Sequence, residues 1–465
     1  FDFESYGIFF HDTWSLTNQL TLDLGIRYDL QDIPTPEQNA FPEHPEFADW
    51  NNDDDNWAPR AGFAYDLFGD GRSVVRGGIG KFYNPIPAIL YAGPLAEVGG
   101  IYNRIRLNCR FDDCPSYPDI LSPTEFSEFV RSASDITIIS PDLEAQESTR
   151  LSLAWEQQLG DSYSVSVEGV YADLTNQQRL VNINAVPEGV VLGNLPRYDV
   201  GTDEAAYPEF RDVKQHRSDA EGEYKAITLK TRKFAFGDSR FTWLAHYTWA
   251  EAIDQDSNER STSTSRSYDP FNPELSEGRA DYDIEHRVVL SGSYEFPYEL
   301  LVSGIYRWNS GFPYTAVIDA GSFGMNDLFQ VAVDQPVFVD SSGNVIDMTA
   351  ANGMSTAELA AFLAERGAVI EERNSREQPN FSSLDLRISK RFDVWQDIGI
   401  ELIAEVFNAL NEENTRISSS NQEMFEADFD FRDDEWFFER NQNFGQENSF
   451  TGFPRRYQAA IRVIF

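Results

Sequence analysis

Nowhere in the 465 residues is there an uninterrupted apolar run of about 18, the minimum for a helix that crosses a bilayer. That excludes a helical membrane protein. It does not exclude a transmembrane barrel, whose strands alternate lipid-facing and lumen-facing residues and so read as only half hydrophobic. Positive charge is also scarce. Lys and Arg number 37 against 77 Asp and Glu, a net charge of −40, which argues against nucleic acid because a phosphate backbone requires cations. No leader-like stretch opens the chain; Phe1-Asp2-Phe3-Glu4 leads straight into a strand pattern, so processing has occurred or upstream chain is missing. There are two cysteines, Cys109 and Cys114, with no further Cys/His cluster to complete a zinc site, and a small disulfide loop in an oxidising compartment is expected. The five histidines (His11, His44, His216, His246 and His286) show no catalytic spacing and are read as structural. Neither a nucleophile elbow nor a phosphate loop occurs, since Gly77-Gly78-Ile79-Gly80 lies inside a strand with no helix after it. Enzymatic chemistry therefore has no support.

What is present is alternation. Segments of about ten residues with period 2 recur in pairs: Ser5–Trp14 with Leu20–Asp29, Trp57–Phe68 with Ser73–Tyr83, and Ser148–Gln158 with Ser162–Ala172. Glu223–Phe234 with Ser239–Glu251, Arg287–Phe296 with Glu299–Asn309, and Ser383–Phe392 with Ile398–Phe407 follow. Arg455–Phe465 stands alone at the end. Within Leu20–Asp29 one face is Leu20, Leu22, Leu24, Ile26 and Tyr28; the other is Thr21, Asp23, Gly25, Arg27 and Asp29. A face of Asp, Gly and Arg is too polar for a protein core and suits a wet lumen or a plug contact.

Connections within pairs are short (15–19, 69–72, 159–161, 235–238, 297–298, 393–397). Those between pairs are long and polar (30–56, 84–147, 173–222, 252–286, 310–382, 408–454). Such sorting marks the periplasmic and extracellular rims of an outer-membrane barrel. The aromatic share, 14%, is high for a chain with mean hydropathy −0.44, and aromatic girdles would account for it. Two capping boxes, Ser355-Thr356-Ala357-Glu358 and Ser122-Pro123-Thr124-Glu125, predict helices in the long loops. The first helix places Leu359, Phe362 and Leu363 on one face and stops at Gly367. A hairpin is expected from Val337–Asp340 and Val345–Met348. A folded outer cap follows.

Several stretches carry a family resemblance. Tyr6-Gly7-Ile8-Phe9-Phe10-His11-Asp12-Thr13-Trp14 with Leu20–Tyr28, and Ala58–Asp66 with Val75–Gly80, resemble successive hairpins of the Oar-like branch of TonB-dependent receptors. His246-Tyr247-Thr248-Trp249-Ala250-Glu251-Ala252-Ile253-Asp254 is similar to that family's SYTWSKAID strand. Asp283–Gly292 is similar to its D..HRFVLSG strand, and Phe407-Asn408-Ala409-Leu410-Asn411 to its FNLFN strand end. The matches run in family order over most of the chain. The resemblance implies an all-β transmembrane antiparallel barrel of 22 strands in outer-membrane lipid. It also implies an N-terminal plug that engages a TonB-type energy transducer. Residues 1–465 would supply about the last thirteen strands. Terminal Phe465, with Tyr457, resembles the signal read by the barrel-assembly machinery.

A closed antiparallel barrel needs an even strand number, so thirteen cannot close alone. The chain is a fragment or half of a split barrel, or a strand lies unrecognised within 84–147. Acidic clusters are the remaining chemical feature. Segment 30–56 holds Asp32, Glu37, Glu43, Glu46, Asp49, Asp53, Asp54 and Asp55 with no Lys or Arg, and segment 423–435 is similarly acidic. Asp53, Asp54 and Asp55 are candidate ligands for a hard cation such as Ca²⁺, against the alternative of a solvated loop. No other cofactor is expected. A receptor barrel for TonB-dependent uptake or export is the reading. Its alternatives are an outer-membrane anchor that serves adhesion or assembly through the acidic loops, and a passive porin.

Overall fold

In the computed structural model the described residues are 3–100, 104–105, 134–200, 202–235, 239–257, 268–319, 335–395, 398–430 and 432–465. Cys109 and Cys114, and the capping box at 122–125, lie outside them. All thirteen expected strands are present. They are β1 (Glu4–Ser15), β2 (Leu20–Asp32), β3 (Asn56–Asp66), β4 (Ser73–Asn84), β5 (Gln146–Leu159), β6 (Tyr163–Asn182) and β7 (Phe210–Lys233). After them come β8 (Phe241–Asp254), β9 (His286–Phe296), β10 (Leu300–Asn309), β11 (Phe381–Trp395), β12 (Ile398–Phe407) and β13 (Arg456–Ile464). Each pairs antiparallel with its sequence neighbours in one continuous path. The six short turns therefore share one rim and the six long connections the other. β1 pairs with β2 and β13 with β12, and neither pairs with the other, so the sheet is open at both edges.

The register shows why the strands form. From β4 to β7, Val75, Trp155, Val167 and Leu229 align across the ladder on one face; Val74, Glu156, Ser166 and Lys230 align on the other. The first face is lipid-facing. Its aromatics form two bands: Tyr65, Trp155 and Tyr163 near the short-turn rim, Trp57, Tyr171 and Trp249 near the other. Trp57 and Tyr65 are eight positions apart on β3, roughly 26 Å at ~3.3 Å per residue along the strand, or about 20 Å along the membrane normal at a tilt near 40°, which fits within the apolar band of an outer-membrane barrel. Gly77 is required where it sits, because a Cβ there would lie 2.6 Å from the Phe63 ring that crosses it.

Two strands are much longer than the alternation predicts. β6 runs on to Asn182 and β7 begins at Phe210, so most of the expected loop 173–222 is a tall hairpin whose connection is 183–209. Its upper half is polar on both sides in sequence but buried. Ser134–Ile139 pairs parallel with β7 and covers it with Ile136, Ile138 and Ile139. Ser134–Ile139 lies off the barrel path, so among the described residues of 84–147 no fourteenth barrel strand is found.

The other long loops fold into two lobes. One packs Phe47, Trp50, Leu90, Tyr91, Val98, Ile136 and Phe210 around α1 (Ile89–Val98), a helix the sequence reading did not anticipate. The second packs Leu192, Phe338, Leu363, Phe425 and Trp436 around α2 (Thr356–Glu365) and a four-stranded sheet. In α2 the capping box forms as expected: Glu358 N–H donates to Ser355 Oγ, Ser355 N–H donates to Glu358, and Gly367 takes φ +58. The hairpin at 337–348 is shorter than expected. Only Val339 and Val345 bridge, Phe338–Val339 pairs with Val369–Ile370, and Met348 turns into a 3-10 segment capped by Asp347. Among the described residues no helix is long and apolar enough to cross a membrane.

Candidate functional site: the polar wall and its acidic mouth

The lumen-facing side of the strands is hydrogen-bonded and charged throughout the height of the lipid band. Thr228 and Thr248 hydroxyls meet at 3.0 Å, and Thr242 and Ser293 at 2.7 Å. Cross-strand ion pairs join Arg76 to Glu156 (3.3 Å), Arg307 to Asp385 (2.7 Å), Arg387 to Glu405 (3.4 Å) and Arg462 to Glu401 (3.0 Å). Lys230 and Arg287 add two positive charges on β7 and β9 with His246 between them, for Lys230 pairs with His246 and Thr248 with Arg287 across the ladder. Most of these side chains are a third or more exposed, so each pair adds little stability. Their consequence is a wall that water, a polar plug or a polar solute can wet.

Above the wall the acidic loop is built in, not splayed out. Asp53 accepts the Ala145 N–H at 2.7 Å and ties loop 33–55 to the chain entering β5. The carbonyl oxygen of Asp54 accepts the Tyr28 hydroxyl at 2.8 Å. Asp53 and Asp55 line a cavity of about 230 Å3 with Glu144, Glu147 and Lys81. Lys81 pairs with Glu147 at 2.6 Å. Burial raises the Asp53 carboxyl above its ordinary pKa, and Asp55 adds to the effect. Glu144 is likewise raised by burial and by the charges of Asp53 and Asp55. The carboxylates thus concentrate negative potential at one point of the mouth. Glu144, Glu147 and Lys81 were not among the expected site residues. Glu144 and Glu147 lie about 90 positions from the Asp triplet and Lys81 lies on β4, and only the fold joins them to it.

Among the described residues no three His, Cys, Asp or Glu side chains are grouped as a metal would need. The histidines are scattered. His44 pairs with Glu209 and stacks on Phe47, His216 is buried in the tall hairpin, and His286 bonds the Tyr247 hydroxyl at 3.0 Å. At the other end, Tyr457, Ile461, Val463 and Phe465 form an exposed apolar row on β13, and Tyr457, Ile461 and Val463 pair with Val406, Leu402 and Ile400.

The comparisons agree with this geometry. A segment of 86 residues, 17% of this chain and 7% of the relative, is 31% identical to the TonB-dependent transporter Oar of Myxococcus xanthus. The outer membrane transporter YddB from Escherichia coli aligns with 99% of this chain and 45% of its own, at TM-score 0.54 and 11% identity. A mutant of the ferric enterobactin receptor PfeA from Pseudomonas aeruginosa aligns with 89% of this chain and 40% of its own, at TM-score 0.46 and 10% identity. The chain thus spans less than half the length of the proteins it matches. The profile described as "Outer membrane beta barrel domain" matches residues 1–458, and the chain belongs to that family, a β-barrel of the cell outer membrane.

Proposed function

We propose that the chain is the barrel portion of a TonB-dependent outer-membrane receptor, which captures a substrate at its acidic cap and passes it along the polar lumen. The observation that carries this is the division of the molecule. Every short turn is on one rim, a folded two-lobed cap is on the other, and a wall too polar for a packed core lies between. The same division is a poor design for an enzyme, since among the described residues we find no group of titratable side chains arranged for proton transfer or nucleophilic attack. The resemblance to Oar and to YddB supports transport as the purpose of the lumen.

The open edges belong to this reading. Unpaired N–H and C=O groups cannot persist in hydrocarbon, each costing several kcal/mol, so further strands from the same or another chain complete the barrel. By the resemblance those strands bring a plug and a contact to the energy transducer. The barrel-assembly machinery would insert the whole through the β13 end.

A comparison of three strains tests the reading: wild type, a knockout of this gene and a knockout of the energy transducer. Each is scored for solutes depleted from the medium and for proteins released into it. Transport predicts that both knockouts lose the same substrate flux, and which list changes separates import from export. An adhesion phenotype that needs this gene but not the transducer would instead establish the anchor.

A further inference from the structure

A second cavity of about 280 Å3 lies beneath the α1 lobe, at the outer ends of β2 to β4. Its walls are apolar and aromatic, chiefly Ile33, Phe82, Ile86, Tyr91 and Leu143. Two of its polar side chains are buried without satisfaction. Asn56 is 3% exposed and Tyr91 0% exposed, and among the described residues neither Asn56 Oδ1 nor the Tyr91 hydroxyl has a hydrogen-bond partner. An orphaned buried polar atom costs about 1–3 kcal/mol, and two such atoms on residues that line one cavity of this size point to a missing occupant.

The charges define what that occupant is. Arg27 and Asp29 neutralise each other at 2.7 Å. Arg60 forms no ion pair among the described residues; its guanidinium lies 4.6 Å above the Phe82 ring. Asp53 accepts the Ala145 N–H, but among the described residues no cationic side chain pairs with it. Arg60 and Asp53 both line the cavity and do not reach one another. Asn56 sits beside Asp53, to whose carbonyl oxygen its amide donates at 3.2 Å. The cavity therefore offers a cation at one place, and at another a carboxylate with a bare amide oxygen. The remaining lining is largely apolar, with Ile33, Phe82, Ile86 and Leu143, and the volume suits roughly one ring.

We propose that this cavity binds a zwitterionic aromatic amino acid. The ligand carboxylate meets Arg60, its ammonium donates to Asp53 and Asn56 Oδ1, and its ring fills the space between Ile33, Ile86 and Leu143. The Tyr91 hydroxyl is left for a polar substituent. The assignment rests on the reading of the cap as a capture surface and gives that surface a substrate class.

The full protein in detergent micelles is titrated calorimetrically with L-phenylalanine, 3-phenylpropionate and 2-phenylethylamine. The expected result is one saturable site for L-phenylalanine, with each half-probe at least tenfold weaker. Arg60→Gln should weaken L-phenylalanine and phenylpropionate tenfold or more and leave phenylethylamine unchanged. Asp53→Asn, which keeps an acceptor for Ala145, should do the converse. Heat-modifiable gel mobility verifies that each variant is folded, and if one is not, the three probes on the unaltered protein decide alone. Absence of saturable L-phenylalanine binding, half-probes that bind as tightly as the zwitterion, or indifference to both substitutions would overturn the site. Binding in micelles needs no energised membrane, so that failure leaves the transport reading standing, and loss of transducer dependence leaves the site standing.

Discussion

Two buried side chains make the stability of the cap sensitive to pH and to substitution. His216 is 1% exposed between Leu180 and Ile139 in the tall hairpin, and burial lowers its pKa to about 4. The folded state therefore resists its protonation, while the unfolded chain takes up a proton near pH 6.5. Stability from the neutral imidazole is complete above pH 6.5 and is lost as pH falls towards 4, by up to about 3 kcal/mol at ~1.4 kcal/mol per unit. Limited proteolysis of the cap against pH should show this loss in the wild type and a flatter profile in His216→Phe. Arg373 is the second. It pairs with Asp254, which is 2% exposed, and donates to Ser276 O at 2.8 Å and Ser257 Oγ at 3.1 Å, so one guanidinium fastens loop 310–380 to the top of β8. Arg373→Ala leaves the Asp254 carboxylate buried and unpaired, a cost of about 3–5 kcal/mol. Asp254→Leu combined with Arg373→Met should recover part of it, as read from the denaturant midpoint of the cap.

At the scale of elements, legibility depended on whether a local pattern decided the structure. α2 was readable because Ser355 and Glu358 close their hydrogen bonds within one turn. Ser355→Ala should cost about 1 kcal/mol of cap stability, measurable by hydrogen exchange in Thr356–Glu365. α1 was not readable, because Pro94 sits inside it, Gly93 precedes that, and no side chain caps its start; it is helical through the burial of Leu90, Tyr91, Leu95 and Val98. The upper halves of β6 and β7 were missed for a related reason. Gln177, Gln178, Arg179 and Asn182 have no apolar alternation, and they are buried only because remote chain covers them. The barrel strands were legible to within a residue or two at most ends, since lipid on one side and water on the other impose period 2 without tertiary help. The cavities were invisible in the sequence. Asp53, Asn56, Arg60, Tyr91 and Leu143 reach one place from four separate segments.

For the whole molecule, the facing of the wall makes a paired prediction. Leu229 lies in the lipid band and Thr228, its neighbour, faces the lumen beside Thr248. Leu229→Arg should lower the fraction folded in bilayers by about 2–4 kcal/mol, and Thr228→Arg by little. Equal losses would reverse the assignment of the two faces. The net charge of −40 resides largely above the lipid, where some carboxylates oppose each other directly, as Glu426 does Glu439 and Asp430 does Glu435. Added salt should therefore raise the thermal midpoint of the cap, whereas a cap held together mainly by surface ion pairs would be weakened by it.

The tall hairpin sets how far that charge stands from the bilayer. From Glu223 to Phe210, β7 climbs roughly 40 Å along its own axis, or about 30 Å along the membrane normal at a tilt near 40°. The Debye length at physiological ionic strength is about 8 Å, so the hairpin's tip stands several screening lengths above the lipid headgroups. A charged solute arriving there feels the protein and not the membrane. The same barrel placed in outer leaflets of different headgroup charge should keep the same on-rate for its ligand.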